Sequence, residues 1–222
     1  MIVGIAQDWS DLMLDHSSLE RQATPIRVPR MPAPELAEVV DLAASYLDRE
    51  GLGLRFSSEA RTRLVQMSGG FPWFIHVIGQ AALMLAYDQG VDVVDDRCVI
   101  HAIRGLVANQ FAQHFADTYQ MAVRDSSQRE IVLRAFAAWK SSDIPTSAIY
   151  PVAKNLGVSN PSIYMGHLCG DQYGSVLMKP GFQNRGLVRF RNEMFKQYVF
   201  LAPSLSGGVD ERVDDALRGK FD

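Results

Sequence analysis

Apolar residues recur along this chain with two different periods. MIVGIA at residues 1–6 is a short, continuous apolar run of the kind that makes a buried strand, and PIRVPR at 25–30 predicts a second short strand. Between them, DWSDLMLDHSSLERQ is polar and predicts a helix followed by a loop. From Pro34 the spacing changes to three and four: Leu36, Val39, Val40, Ala43, Tyr46 and Leu47 line one helical face, closed by Gly51. SSEARTRLVQMSGG predicts a second helix with a serine cap, Glu59 in its first turn and a stop at Gly69-Gly70. Pro72 then opens a helix that is apolar on most sides, the pattern of a bundle's central member. A fourth helix is predicted over roughly 95–116, beginning at Asp95-Asp96.

The rear of the chain has another rhythm. SSQREIVLRAFAAW, residues 126–139, predicts an amphipathic helix with Ile131, Leu133, Phe136 and Ala137 inward. A short helix, the turn NLGVSNP and the helix NPSIYMGHL follow, which is the helix-turn-helix pattern. Two β-like runs come next, SVLMKPGF and GLVRFRNEMFKQYVFL, separated by QNRG. Three helices and a hairpin predict a winged helix-turn-helix.

Composition sharpens this division. The chain has 222 residues, 47% of them hydrophobic, enough for one or two real cores. Residues 1–118 carry a net charge of −6, residues 119–205 carry +5, and the tail 206–222 carries −2. An acidic front and a basic rear imply two modules with different partners. Cys98 and Cys169 are far apart in sequence and suggest buried thiols in a reducing cytoplasm. Neither a leader nor a membrane span is predicted, since His76, Gln80 and Tyr87 break the longest apolar run. A two-stranded start is marginal without a covering sheet, so residues 1–30 read as the end of a larger α/β domain supplied by a preceding segment or a partner.

Taken together, strand–helix–strand, four helices and a winged helix resemble the rear two-thirds of an AAA+/STAND-type P-loop ATPase, in particular origin-recognition-like and related bacterial ATPases. The resemblance covers roughly residues 1–200, and the order of elements carries it more than any single motif. VGIAQDW puts Gln7 at the sensor 1 position, where the family more often has asparagine, and HSSLERQ offers Arg21 as a candidate arginine finger acting on a neighbouring subunit. The third lid helix opens with Gly70-Phe71-Pro72 in place of a sensor 2 arginine. In STAND ATPases a proline at this place lies against the bound nucleotide. The implied fold is mainly α: the end of a P-loop core (1–32), a helical lid (33–118), a winged helix (119–205) and a tail (206–222). The implied cofactor is ATP or ADP with magnesium in the complete protein, and a homo-oligomer is an implied partner arrangement.

No G-x-x-x-x-G-K-[ST] loop occurs in the sequence, so the expected function is an ATP-driven switch of which this chain holds accessory elements and is not catalytically competent alone. No metal site is predicted, because His16, His76, His101, His114 and His167 lack Cys or carboxylate partners at ligand spacing. Asp95-Asp96 reads as a helix cap, and Cys169 as a buried thiol without a paired base. For double-stranded DNA, the second helix of the winged module has no Lys or Arg, and the charge lies in the hairpin at Lys179, Arg185, Arg189, Arg191 and Lys196. Such a wing would grip phosphates without reading sequence, or dock a protein. The rival function is a non-enzymatic winged-helix DNA-binding regulator whose helical front half is a dimerisation or effector domain.

Overall fold

The computed structural model describes residues 28–108, 113–180 and 186–203, and it is mainly helical. Met1–Arg30 and Met31–Asp222 separate as two compact units. The strand and helix expected over 1–27, including Gln7 and Arg21, lie outside the described residues, as do Arg185 and the tail; Val28–Arg30 are not in a strand.

The second unit holds two hydrophobic clusters. In the front cluster, helix α1 (Ala33–Arg49) buries Leu36, Ala37 and Val40 and leaves Ala43 and Tyr46 outside. Helix α2 (Ser58–Ser68) starts where expected, with Ser57 Oγ accepting from the Ala60 amide at 3.1 Å, and ends at Gly69 in the left-handed conformation (φ 59°). Helix α3 (Pro72–Asp88) packs against α1, α2 and α4 (Asp96–Ala108) and is the central member. It is not buried on most sides, though: Phe74, Ile75, Ile78, Gly79, Ala82 and Ala86 face inward, while Trp73, Met84 and Tyr87 are exposed. Asp95 caps α4 by accepting from the Cys98 amide at 2.9 Å, as expected of the aspartate pair, while Asp96 accepts from Arg63 instead. A feature not foreseen is a parallel bridge between β1 (Arg55–Phe56) and β2 (Val93–Val94) that closes the cluster.

Of the helix expected over 95–116, the described residues hold α4 (Asp96–Ala108) and α5 (Gln113–Val123), with residues 109–112 lying outside them; α5 contributes Tyr119, Ala122 and Val123 to the rear cluster. At the centre of that cluster runs α6 (Ser127–Ala137). The sequence reads as amphipathic, but every residue from Arg129 to Ala137 is buried. Its charged members are satisfied internally. Arg129 donates to the carbonyls of Ala122 and Val123. Tyr119 donates to Glu130 at 2.6 Å, and Arg134 donates to the Tyr119 oxygen at 3.2 Å and the Ala202 carbonyl at 2.7 Å. Burial is tolerable for these charges because each finds hydrogen-bonding partners.

Around α6 stand β3 (Ile144–Pro145), α7 (Thr146–Asn155), α8 (Pro161–Leu168), a 3₁₀ turn (Asp171–Tyr173), β4 (Leu177–Met178) and β5 (Leu187–Phe190). The three strands form an antiparallel sheet in the order β3-β5-β4. The expected second hairpin strand over 186–201 is corrected: β5 stops at Phe190, and helix α9 spans Glu193–Leu201. Asn192 makes the switch by accepting from the amides of Met194 and Phe195, and Phe195, Tyr198 and Val199 then fall on one buried helical face. No helix of the described residues is long and apolar enough to cross a membrane.

Candidate functional site

The Gly69–Pro72 turn raises a physical question: what comes close enough to need two glycines? Both adopt positive φ, 59° at Gly69 and 89° at Gly70, which L side chains rarely adopt. The turn is fastened by Phe71 donating to the Ser68 carbonyl and Met31 donating to the Gly70 carbonyl, at 3.1 and 3.0 Å. Pro72 occupies the first turn of α3, where its missing N–H costs nothing, and no side chain caps this helix. Phe71, Pro72 and Gly70 are half-buried, and the rings of Phe71 and Trp73 pack edge-on against Phe74. At Gly69 the close neighbour is Gln197 of α9. A Cβ built on Gly69 would lie 2.1 Å from Gln197 Oε1. Thus a protein side chain, arriving from 128 positions further along the chain, accounts for the close approach at the first glycine.

A shallow groove along α2 is lined by Ser58, Glu59, Thr62, Arg63, Gln66 and Asp96. Arg63 and Asp96 neutralise one another in a two-point ion pair, at 2.6 and 3.0 Å. The remaining charge along the groove is the carboxylate of Glu59, which accepts from Ser58 Oγ at 3.0 Å. Among the described residues no three His, Cys, Asp or Glu lie together as a metal site would need.

The basic residues of the rear cluster sort into two groups. Lys179 and Arg191 are exposed, as the expected phosphate-gripping role requires. Strand alternation holds too: Val188 and Phe190 are buried, and Arg189 lies on the opposite face. Arg189, however, forms a two-point ion pair with Asp143, tying β5 to the segment before β3. Lys196 departs further from expectation. It sits on α9, not on a hairpin strand, is 4% exposed, and its ammonium donates to the Ser141 carbonyl at 2.7 Å. Both cations brace the fold in place of lining its surface. Lys154, exposed at the end of α7 beside the turn into α8, was passed over in the sequence, where AKNLG could have marked it.

Helix α8 offers Ser162, Ile163 and Gly166 to solvent, and Tyr164 donates to Gln128 at 2.7 Å. His167 stacks on Tyr173, whose ring also carries the guanidinium of Arg129 at 4.3 Å and that of Arg124 at 4.9 Å. Burial pushes the Cys169 thiol up from its ordinary range, opposite to what a nucleophile needs. Cys98 is shifted the same way by its burial.

Compared with models of known families, with curated proteins and with solved structures, the chain matches none.

Proposed function

We propose that this chain is the lid and winged-helix part of a nucleotide-dependent switch of AAA+/STAND type. The observation that carries the reading is the Gly69–Pro72 turn: two left-handed glycines and a first-turn proline open the central helix of a four-helix cluster. The order of the rear elements (helix, strand, two helices around a tight turn, two strands) supports the winged-helix assignment. In this reading Gly70, Phe71 and Pro72 close over ATP or ADP, while the phosphates and magnesium are held by a P-loop region outside the chain. The residues present suit that division. The turn supplies half-buried rings and a helix start, with no Lys or Arg among Gly69–Phe74. Gln7 and Arg21 would serve as sensor and finger in an oligomer.

The test is a titration. The 222-residue chain is expected to bind ATP or ADP no more tightly than roughly millimolar, about 4 kcal/mol. Calorimetry showing micromolar affinity would place the main site inside the chain and sink this division of labour. In a longer chain that contains a P-loop, binding should become tight, and replacing Pro72 should then weaken it.

The exposure of Lys154, Lys179 and Arg191 around the helix-turn-helix favours a second reading, a DNA-binding regulator. The expected result is specific. Replacing Lys179 and Arg191 together should weaken duplex binding equally on unrelated sequences and flatten the salt slope by roughly two units. Replacing Arg189 or Lys196 should instead lower stability. Fluorescence anisotropy at two salt concentrations decides it, and no binding at low salt would make this surface a protein-docking one.

A further inference from the structure

Helix α9 presents two faces to two different cores. Phe195, Tyr198, Val199 and Ala202 belong to the rear cluster. Met194 and Leu201 pack against the front one, and Gln197 lies between them on the same side, at the three-and-four spacing of a helical stripe. The rear grip is strong: Asn192 caps the start, Lys196 donates to the Ser141 carbonyl, and Arg134 donates to the carbonyl of Ala202 just past the end. On the front side a polar contact reaches across. Gln197 Nε2 donates to the Met67 carbonyl at 2.6 Å, and the residue is only 9% exposed.

We infer that α9 is a mechanical link between the two clusters, with Gln197 as its latch on the Gly69–Pro72 turn. The latch binds the last turn of α2, whose terminal carbonyls have no partner within the helix. Its amide head occupies the space a side chain on Gly69 would need. Gly69 is therefore required twice, by its positive φ and by Gln197. A shift of the turn by an ångström or more would break the Met67 hydrogen bond or push α9, and α9 cannot yield without disturbing its anchors in the rear cluster. Whatever displaces the turn is thereby felt by the helix-turn-helix. The inference rests on the fold and stands whether or not a nucleotide binds at Pro72.

The experiment uses the full chain without nucleotide. Urea unfolding is followed by hydrogen exchange of peptides from α2–α3 and from α7–α8, in the native chain, Gln197→Ala, Gln197→Glu, Gln197→Met, Gly69→Ala and Gly69→Ala with Gln197→Ala. In the native chain the two sets of amides should open at one midpoint. In Gln197→Ala the front set should open first, the midpoints separating by roughly 0.5–1 M urea. Gln197→Glu keeps the shape but sets a carboxylate against the Met67 carbonyl, and it should separate them too; Gln197→Met, with neither donor nor charge, should do the same, whereas a space-filling role would leave the methionine variant like the native chain. Gly69→Ala should lower the midpoint clearly in the native background and less than half as much once Gln197 is alanine. Should Gln197→Ala fail to fold, Gln197→Met, which fills the space without a donor, takes its place. Separate midpoints in the native chain, an unsplit transition in the Gln197 variants, or additivity of the two substitutions would each overturn the link.

Discussion

Replacing Arg134 with leucine should lower the unfolding free energy by about 3–5 kcal/mol, measured by urea denaturation. Arg134 is 6% exposed and belongs to a chain of buried polar groups: it donates to Tyr119, which donates to Glu130, and it also holds the carbonyl of Ala202. Leucine supplies comparable apolar bulk but no donor, so the Ala202 carbonyl loses its Arg134 donor and the carboxylate of Glu130, fully buried, loses a nearby cation. Losing one member of such a network costs more than the net worth of its hydrogen bonds, because the partners stay desolvated. The contrast is Arg61, which pairs with Asp41 at 2.6 and 2.7 Å but lies in solvent. Arg61→Leu should cost less than about 1 kcal/mol. A loss below 1 kcal/mol for Arg134→Leu would mean that water enters and satisfies the site.

The same network should make the chain labile in alkali. Burial is the main cause that pushes the Tyr119 phenol well above its ordinary value, with the hydrogen bond to Glu130 acting the same way and the Arg134 charge opposing it. A raised folded value for a phenol means the folded state resists ionisation. Its contribution is therefore complete below about pH 10, the unfolded value, and is lost as pH rises above that. The loss amounts to roughly 1.4 kcal/mol per pH unit, so about 3 kcal/mol by pH 12. Burial moves Tyr150 and Tyr198 in the same direction and adds to the trend. Denaturation midpoints measured between pH 8 and 12 should be flat at first and then fall, and Tyr119→Phe should make the fall shallower. A midpoint independent of pH across that range would show that the phenol ionises in place.

Local chemistry was legible. Ser57, Ser126 and Asp95 stand as caps, and Gly69 ends α2, because capping depends on residues within one turn of each other. The three- and four-residue spacing of the front helices likewise announced a helical cluster, since one helical period decides which side chains share a face. Where local signals compete, the sequence was ambiguous. LVRFRNEMFKQYVFL is rich in strand-favouring residues and reads as a strand throughout, while Asn192 and the spacing of Phe195, Tyr198 and Val199 support a helix over its second half. Only packing against α6 on one side and α2 on the other decided between them.

The charge division was also visible in the sequence, with its acidic front and basic rear, but counting charges cannot say which of them reach solvent. Arg189 and Lys196 were spent on Asp143 and Ser141, and Arg129, Glu130 and Arg134 were buried in a helix that looked amphipathic. The candidate turn shows the boundary most clearly. The residues of Gly69–Pro72 by themselves determined a glycine stop, left-handed backbone and a proline-led helix. What comes close to it was decided by Gln197, which reaches it only because two cores share one helix. Short-range hydrogen bonding is written in neighbouring residues, whereas a contact spanning more than half the chain depends on how every intervening element packs.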